Sequence, residues 1–409
     1  MQYRNLGKSP LQVSALCLGT MMFADQTELT EARSIVAHAR EHGVNFIDTA
    51  DVYTSGKSEQ MVGEALGAHR HDWILATKVG NKMSGRPNES RYSRRWVLGE
   101  CEASLRRLAT DHVDIYYLHR DFNGMDLEEP LRAVDALLRD GKIRYWGLSN
   151  FRGWRTAEAV HMARALGMPA PVASQPCYNL LNRQPEVEVL AACAHHGIGV
   201  VPYSPIARGV LAGQYAPGSK PAEDTRAGRG DKRIMETEFR EESLKVAETL
   251  KAHCERKGVS LAHFTTAWVL ASKAVSAVIA GPRTLAQWQD YLGALDCVID
   301  ADDEALVDSL VKPGHPSTPA TTTRNTRSKA ARSFAYRRSR LRRPLAPHRL
   351  GGPDGVALAA RLKSSLPSCT SASTLVGAPS STRRAAKSWI HTKRSSACLV
   401  AYSAVTGRG

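Results

Sequence analysis

Four side chains that can exchange protons come at the ends of three successive apolar segments in this sequence. Asp48 ends the segment that starts at Asn45 and Tyr53 follows it, Lys78 ends the next segment, and His119 follows the third. Any one of these residues alone has an ordinary structural explanation. Together they predict one reacting site, because the ends of neighbouring parallel strands lie about 4.8 Å apart.

This set of side chains suits the reduction of a carbonyl group, which needs a hydride donor at the carbon and a proton donor at the oxygen. A tyrosine with a pKa of about 10 is a weak acid at neutral pH. An ammonium group about 4 Å away, at an effective dielectric constant of about 20, favours the phenolate by up to about 4 kcal/mol. We therefore predict that Tyr53 delivers the proton and that Asp48 holds Lys78 charged. His119 is predicted to polarise the carbonyl oxygen through a hydrogen bond.

Short apolar segments alternate with helix-length amphipathic segments from residue 14 to about residue 310. This alternation predicts βαβ units and a parallel sheet that is buried on both faces. Helices are predicted near 29–42, 57–68, 94–108, 127–139, 154–166, 185–196, 238–257, 260–271, 284–294 and 302–310. The predicted strands are Ala15–Leu18, Asn45–Asp48, Ile74–Lys78, Asp114–Leu118, Ile143–Leu148, Val172–Ser174, Ile198–Tyr203 and Ala277–Ala280.

Eight such strands in roughly 300 residues favour a closed (β/α)8 TIM barrel, in which the reacting residues lie at the carboxyl ends of the strands. An open doubly wound sheet is the rival fold, but its Gly-x-Gly-x-x-Gly dinucleotide motif is absent. A predicted N-terminal β-hairpin, with its turn at Gly7–Pro10, would close the bottom of the barrel. The long segment Ser204–Thr237 is predicted to form a cofactor clasp or a substrate lid.

The basic character of the chain is confined to its C-terminal part. The net charge is +15 over 409 residues, but residues 317–409 hold 18 of the 55 Lys and Arg and one acid, Asp354. We predict a barrel domain over 1–316 and a low-complexity basic tail over 317–409. Disorder is expected for the tail because it has too little apolar surface to offset the entropy of ordering. The nearly neutral barrel domain argues against nucleic acid as a partner.

Two explanations remain open for the tail. A nucleic-acid-binding arm is disfavoured because aromatic residues are few, at Phe334, Tyr336, Trp389 and Tyr402, and no module is present. A shifted reading frame through GC-rich DNA would encode the same Arg- and Ser-rich composition, and we favour that hypothesis. A native protein that ends near residue 330 by mass spectrometry would support it, and a full-length product would count against it.

The cysteines and the hydropathy profile limit the class of protein. Eight cysteines are scattered without a Cys-x-x-Cys pair, which predicts reduced thiols and no metal site. No apolar run approaches the roughly 18 residues that a membrane helix requires, and the N-terminus lacks the apolar part of a signal peptide. We expect a cytoplasmic protein with no membrane segment.

Several sequence motifs are typical of one family. They are Asn45-Phe46-Ile47-Asp48-Thr49-Ala50, Gly141-Lys142-Ile143-Arg144, Gly147-Leu148-Ser149-Asn150-Phe151, Pro202-Tyr203-Ser204-Pro205 with Arg208-Gly209, and Gly281-Pro282-Arg283. In these motifs the chain resembles the aldo-keto reductases, especially their bacterial and potassium-channel β-subunit-like branch, over about residues 1–316. The resemblance implies a (β/α)8 barrel that binds NADPH in an extended pose and transfers hydride without a metal. The family's catalytic tetrad corresponds to Asp48, Tyr53, Lys78 and His119.

The resemblance also implies a binding site for NADP(H). Ser149, Asn150 and Gln175 match the residues that hold the nicotinamide carboxamide, and Tyr203 matches the aromatic residue that stacks on its ring. Ser204, Pro205, Ile206, Arg208 and Gly209 match the loop along the pyrophosphate, and Gln287 matches an adenine contact. The predicted cofactor-binding set also includes Gly19, Thr20, Met21, Asp48, Gly281 and Arg283.

The segment Gly281–Arg283 favours NADP over NAD for a physical reason. It follows the last strand and opens a helix, where free backbone N–H groups and the helix dipole favour a phosphate. The guanidinium of Arg283 can bind a 2′-phosphate through two hydrogen bonds.

Two departures from the family and one alternative function remain. Tyr291 stands where the family often has Asn, and the usual C-terminus beyond Pro313–Pro316 is replaced by the basic tail. The predicted enzyme reduces a small-molecule aldehyde or ketone, whose identity the loops do not reveal. The alternative is a binding subunit that senses the redox state of NADP and regulates a partner, as channel β-subunits do. An oligomer is compatible with either function.

Overall fold

The computed structural model describes residues 1–318, and eight parallel strands form its central sheet. Two further short strands, β1 (Tyr3–Asn5) and β2 (Gln12–Ser14), pair as the predicted antiparallel hairpin. The parallel strands are β3 (Leu16–Gly19), β4 (Phe46–Asp48), β5 (Ile74–Val79), β6 (Val113–Leu118), β7 (Ile143–Ser149), β8 (Ala173–Gln175), β9 (Gly199–Val200) and β10 (Val278–Ala280).

Helices connect successive strands and cover the outside of the sheet. Their positions confirm the predicted alternation of strand and helix. They are α1 (Leu29–Glu41), α2 (Lys57–Leu66), α3 (Arg94–Arg107), α4 (Glu128–Arg139), α5 (Gly153–Ala165), α6 (Val189–His196), α7 (Lys232–Glu236), α8 (Glu241–Lys257), α9 (Leu261–Ala271), α10 (Leu285–Leu292) and α11 (Ala301–Leu310).

The sheet curls into a closed cylinder. The strands follow the order β10-β3-β4-β5-β6-β7-β8-β9, so the last strand pairs with the first. Between β9 and β10 the backbone amide of Ser276 donates to the Val200 carbonyl and that of Ile279 to the Pro202 carbonyl, both at 2.9 Å. These hydrogen bonds close the ring and confirm the predicted (β/α)8 barrel.

Side chains alternate between the interior of the barrel and the surrounding helices. In β5, Ile74 and Ala76 belong to the inner apolar cluster, whereas Leu75 and Val79 belong to the cluster beneath the helices. Lys78 therefore lies on the same inner face of β5 as Ile74 and Ala76, as expected when the side chains of a strand alternate with a period of two.

The N-terminal hairpin closes the amino-terminal end of the barrel. Leu6 and Val13 are fully buried and pack in the same inner cluster as Cys17 and Phe46, which lie near the starts of their strands. The opposite end of the barrel, where the carboxyl ends of the strands lie, is not covered by the hairpin and carries the polar rim.

One predicted strand is shorter than expected. The apolar segment Ile198–Tyr203 forms a ladder only at Gly199–Val200, and Tyr203 pairs with Ile279 through an isolated bridge. Pro202 explains this break, because proline has no N–H to donate to a ladder. The following long segment contains a 3₁₀ turn at Ala207–Ala212 and the short helix α7.

No helix within residues 1–318 is long and apolar enough to cross a membrane. The family motifs all fall in this described part of the chain. The predictions of a disordered basic tail, of its origin and of its aromatic residues concern positions 319–409, which lie outside the described residues.

Candidate active site

The predicted site residues lie together at one rim of the barrel, where the carboxyl ends of the parallel strands meet. Four of these residues end their strands, Lys78 is the last residue but one of β5, His119 follows β6 directly, and Tyr203 lies three residues after β9. The registers pair Gly19 with Asp48 and Ser149 with Gln175. The residues assembled in this way are Gly19, Asp48, Lys78, His119, Ser149, Gln175 and Tyr203.

Lys78 is a fully buried cation at the centre of this rim. Its Nζ donates to Asp48 Oδ1 at 2.5 Å, to the Thr49 carbonyl at 2.7 Å and to the Tyr53 hydroxyl at 3.3 Å. Burial lowers the pKa of Lys78, but Asp48 and Tyr53 outweigh it, and the pKa lies above its ordinary value. The ammonium form is thus maintained, and all three of its donors are directed at oxygen atoms.

Asp48 bridges the two sides of the rim. Its second oxygen, Oδ2, accepts a hydrogen bond of 2.9 Å from Gln175 Nε2. With Lys78 on Oδ1, both oxygens of this 2% exposed carboxylate have partners. A buried carboxylate is stable only with such compensation.

Tyr53 lies on a short turn after β4, where Thr54 and Ser55 have left-handed φ values of 48° and 55°. The Lys78 ammonium lies 5.0 Å from the centre of the Tyr53 ring as well as next to its hydroxyl. The phenol therefore stands between the buried ammonium and the cavity described below.

The pKa of Tyr53 is set by burial and by its two charged neighbours. Burial raises the pKa above its ordinary value, and Asp48 raises it further, while Lys78 lowers it without reversing the result. Lys78 thus favours the phenolate in the predicted direction, but burial and Asp48 outweigh it. Tyr53 is held protonated, and the ammonium offsets part of the cost of forming a phenolate.

His119 is held in the neutral form. Burial is the main reason that its pKa lies well below the ordinary value, and the positive charges of Lys78, Arg233 and Arg120 lower it further. Its ring meets the Tyr53 ring edge to face, with 6.1 Å between centres. Within residues 1–318, His119 Nδ1 is enclosed and has no hydrogen-bond partner.

A buried acidic network supports the reacting residues from the helix side of β5. Glu59 accepts hydrogen bonds from the Thr77 hydroxyl and from Arg107, which also binds Glu100. Asp51 is fully buried nearby, and burial together with the negative charges of Glu59 and Glu100 raises its pKa well above the ordinary value. This network was not found from sequence, because its acids are distant in the chain and follow no common motif.

Neutral polar groups form the neighbouring part of the rim. Ser149 Oγ donates to the Gln175 carbonyl at 3.0 Å, and Asn150 Nδ2 donates to Ser149 Oγ and to the His119 carbonyl. The Tyr203 hydroxyl donates to Asn150 Oδ1 at 2.8 Å. Asn150 has a φ of 58°, a left-handed value that asparagine adopts more readily than most residues.

A cavity of about 410 Å³ opens over this rim. Tyr53 and His119 line it and Lys78 does not, so the lysine can act on a bound molecule only through its neighbours. Every residue of the predicted cofactor-binding set lines the cavity: Gly19, Thr20, Met21, Asp48, Ser149, Asn150, Gln175, Tyr203, Ser204, Pro205, Ile206, Arg208, Gly209, Gly281, Arg283 and Gln287.

Two glycines let the backbone form the cavity wall. A Cβ atom at Gly19 would lie 2.5 Å from Ile279 Cγ2, closer than real Cβ contacts. Gly209 has a φ of +100°, which side chains rarely permit, and a Cβ there would lie 2.5 Å from Gln214 Oε1. A side chain at Gly209 would thus be strained, and one at Gly19 would have to displace Ile279.

Two arginines of the long segment after β9 line the cavity and were missed from sequence. Arg226 contacts Met22 Sδ at 3.1 Å, and the Arg233 guanidinium lies 5.8 Å from the centre of the Tyr203 ring. Neither forms an ion pair with any residue between 1 and 318, whereas Arg208 is paired with Glu238. The length and arginine content of the segment were the available signal, but a loop's path cannot be inferred from periodicity.

The start of α10 corrects one expectation. Free backbone N–H groups were predicted here, but Arg283 N donates to Gln287 Oε1 at 2.9 Å and Leu285 N donates to Glu31 Oε1 at 2.5 Å. Thr284 caps the helix by accepting from Gln287 N. The Arg283 side chain makes only long 3.4 Å contacts, to Gln26 Oε1 and the Asp224 carbonyl, so the guanidinium is the group available to a phosphate.

Tyr291 closes the far end of the cavity. It is 8% exposed, lines the cavity and has a pKa raised mainly by burial. The family's usual Asn is smaller and more polar, so the wall at this end is more apolar than the family pattern implies.

Among residues 1–318, no three His, Cys, Asp or Glu side chains are grouped as a metal site.

Comparison with known proteins identifies the family. The family model described as the aldo/keto reductase family matches residues 15–312. A protein of Arabidopsis thaliana described as a probable voltage-gated potassium channel subunit beta is 37% identical over 303 residues, 73% of this chain and 92% of the relative. The uncharacterized oxidoreductase YrpG of Bacillus subtilis is 34% identical over 313 residues, 74% of this chain and 93% of that protein. Barrel, rim and sequence thus agree, and the chain belongs to the aldo/keto reductase family.

Proposed function

We propose that this protein reduces an aldehyde or ketone to an alcohol with NADPH as the hydride donor and Tyr53 as the proton donor. The observation that carries the proposal is the position of Lys78. Its ammonium is buried between the Asp48 carboxylate and the Tyr53 hydroxyl, and that hydroxyl belongs to a side chain of the cavity wall. A buried cation at this place has no evident structural need, since an apolar residue would fill the interior at lower cost.

The residues divide the proton chemistry between them. His119, neutral and next to Tyr53, would donate a hydrogen bond to the carbonyl oxygen and fix its position. Tyr53 would give its proton to that oxygen as negative charge develops there. The phenolate left behind would be stabilised by Lys78 at 3.3 Å until it regains a proton from solvent. When bound, NADPH supplies the hydride that the carbonyl carbon receives.

The cavity wall is suited to a phosphorylated dinucleotide. Amide and hydroxyl groups of Ser149, Asn150 and Gln175 lie beside the reacting residues and would hold an uncharged carboxamide. The unpaired guanidinium of Arg226 is available to a pyrophosphate, and that of Arg283 to a 2′-phosphate. The glycines described above let the backbone approach such a ligand closely. We propose NADP(H) as the cofactor on these grounds, and we place the protein in the cytoplasm.

A second candidate function is regulation of a partner by the redox state of NADP(H). It is supported by the two plant relatives described as probable voltage-gated potassium channel subunit beta, at 37% and 36% identity. The same cavity would serve it, so the two functions differ in whether a carbonyl substrate is turned over. As a reductase the protein would act on a small-molecule carbonyl compound and would need no metal.

The loss of NADPH absorbance with a panel of carbonyl compounds, including methylglyoxal and 4-nitrobenzaldehyde, tests the proposal. Wild-type protein should turn over at least one of them. Tyr53→Phe should lower kcat by about 10² to 10⁴, the usual contribution of a general acid, while the Kd of NADPH measured by fluorescence stays within about twofold. Equal turnover in that variant removes Tyr53 from its role. Tight NADPH binding without turnover of any compound favours the regulatory function.

A further inference from the structure

A cation without an acidic partner lies at the reacting end of the cavity. Arg233, on the short helix α7, lines the cavity with its guanidinium 5.8 Å from the centre of the Tyr203 ring. Its charge acts on both Tyr53 and His119, whose pKa values it lowers. Arg233 is therefore near the position that a carbonyl substrate would take between those two side chains.

Three other charged side chains close to the reacting residues are already compensated. Lys78 is paired with Asp48 and Arg208 with Glu238, and Asp121, just beyond His119, is paired with Arg155. Arg233 forms no ion pair with any residue of the described part of the chain. An uncompensated charge in a cleft attracts an ion of opposite sign more strongly than it would on an open surface.

A second group of cations extends this positive region on the same rim. Arg91 and Arg120 lie on the loops that follow β5 and β6, and both guanidinium groups stack against the Phe122 ring at 5.7 Å and 5.5 Å from its centre. Neither has an ion-pair partner within residues 1–318. Arg120 directly follows His119 and adds to the positive field at that ring.

We propose that Arg233 is a specificity-determining residue that binds the carboxylate of the substrate, so that the preferred substrates are carbonyl compounds carrying a carboxylate group. This inference rests on the proposed reductase function and narrows it to one substrate class. Guanidinium and carboxylate groups match in geometry and form paired hydrogen bonds. Arg91 and Arg120 would add electrostatic attraction at longer range.

The competing role for Arg233 is a contact with the cofactor. The charge of Arg233 lowers the pKa of the nearby Arg226. Since Arg226 is itself available to a pyrophosphate, Arg233 is near a proposed cofactor contact. The assignment to the substrate follows from the position of Arg233 on the cavity wall, 5.8 Å from the centre of the Tyr203 ring and near enough to Tyr53 and His119 for its charge to lower their pKa values. A cofactor role predicts a loss of NADPH affinity, whereas a substrate role predicts none, so the two can be measured apart.

The test compares two aldehydes of nearly the same shape, 4-formylbenzoate and 4-formylbenzamide. Wild-type protein should prefer the carboxylate by about tenfold in kcat/KM, and the preference should shrink as ionic strength rises. Arg233→Gln should abolish the preference mainly through KM for the carboxylate, and Arg233→Lys should restore part of it. The Kd of NADPH should stay within about twofold in both variants.

Lys232→Gln is the matched control, because Lys232 is the adjacent cation of the same helix, is paired with Glu236 and does not line the cavity. It should keep the full preference. A direct measurement by calorimetry, the Kd of 4-formylbenzoate for NADP⁺-loaded protein, does not depend on turnover. It should rise about tenfold in Arg233→Gln.

The outcomes separate the two proposals. Failure of wild-type protein to reduce these two aldehydes and every compound of the earlier panel contradicts the reductase function, while the calorimetric Kd still decides the role of Arg233. An unchanged carboxylate preference and unchanged Kd in Arg233→Gln overturn the inference. So does a tenfold weaker NADPH affinity with equal losses for both aldehydes, which would make Arg233 a cofactor contact.

Discussion

Burial and neighbouring charges together set the protonation state of each reacting side chain. Lys78 stays charged because Asp48 and Tyr53 raise its pKa against the effect of burial, and Tyr53 stays protonated because burial outweighs the nearby ammonium. His119 stays neutral because burial and three cations oppose its protonation. The site therefore holds one charged donor, one neutral acid and one neutral imidazole before any substrate enters.

The pH dependence of His119 follows from its lowered pKa. An exposed histidine has a pKa of about 6.5, whereas burial and three nearby cations hold the pKa of His119 well below that value. We expect kcat/KM to show no inflection near pH 6.5 between about pH 5.5 and 8. An inflection there in the wild-type protein would show that the imidazole is not shielded as described.

The same shift has a consequence for stability. Below about pH 6.5 the unfolded chain binds a proton at His119 that the folded chain does not, so this residue's contribution to the free energy of unfolding falls as pH decreases. Denaturant unfolding of His119→Gln should show a shallower acid-side loss of stability than the wild type. A parallel decline in the two proteins would contradict the assignment.

At the scale of elements, much of the barrel and its rim could be predicted because parallel strands follow simple rules. The period of two in Ile74, Ala76 and Lys78 fixes the inward face, and the carboxyl ends of neighbouring strands share one rim. These two rules place Asp48 and His119 together without any knowledge of loops. The helices were equally clear, since their amphipathic segments are long and well separated.

Loops and helix starts were less predictable because their contacts are distant in sequence. Arg226 and Arg233 reach the cavity by the path of the segment after β9, which no periodic pattern encodes. Glu31 reaches the start of α10 from α1, and it bonds the Leu285 amide that was expected to be free for a phosphate. A phosphate bound at the start of α10, as proposed above, would therefore depend mainly on the Arg283 side chain.

Replacing that side chain should therefore discriminate between the two dinucleotides. We expect Arg283→Ala to raise the Kd of NADPH by about tenfold or more, since a charge-assisted hydrogen bond contributes roughly 1.5–3 kcal/mol, and to leave that of NADH nearly unchanged. Fluorescence titration of both dinucleotides measures this. Arg229→Ala is the matched control, because Arg229 also contacts Gln26 and Asp224 but does not line the cavity. Equal weakening of NADPH and NADH would undo the 2′-phosphate assignment.

At the scale of the whole molecule, the segment after α11 is hydrogen-bonded to the loop that follows β8. Gly314 N donates to Glu186 Oε2 at 3.1 Å, and Ser317 N donates to the Leu181 carbonyl at 2.9 Å. Arg183 N donates in turn to the His315 carbonyl at 3.2 Å. These hydrogen bonds tie residues 314–317 to the loop between β8 and α6, so the folded unit extends at least to this point.

Two shortened chains should behave differently for this reason. A chain ending at Thr318 keeps these hydrogen bonds and the nearly neutral barrel domain, and we expect its urea midpoint and its turnover to match those of the full chain. A chain ending at Lys312 loses all three, at roughly 0.5–1.5 kcal/mol each, so its free energy of unfolding should fall by about 1.5–4.5 kcal/mol. Urea unfolding with a common m-value distinguishes the two. Equal midpoints for both shortened chains would show that residues 313–318 contribute nothing to the fold, and a large loss in the Thr318 chain would place a structural role in the basic residues beyond it.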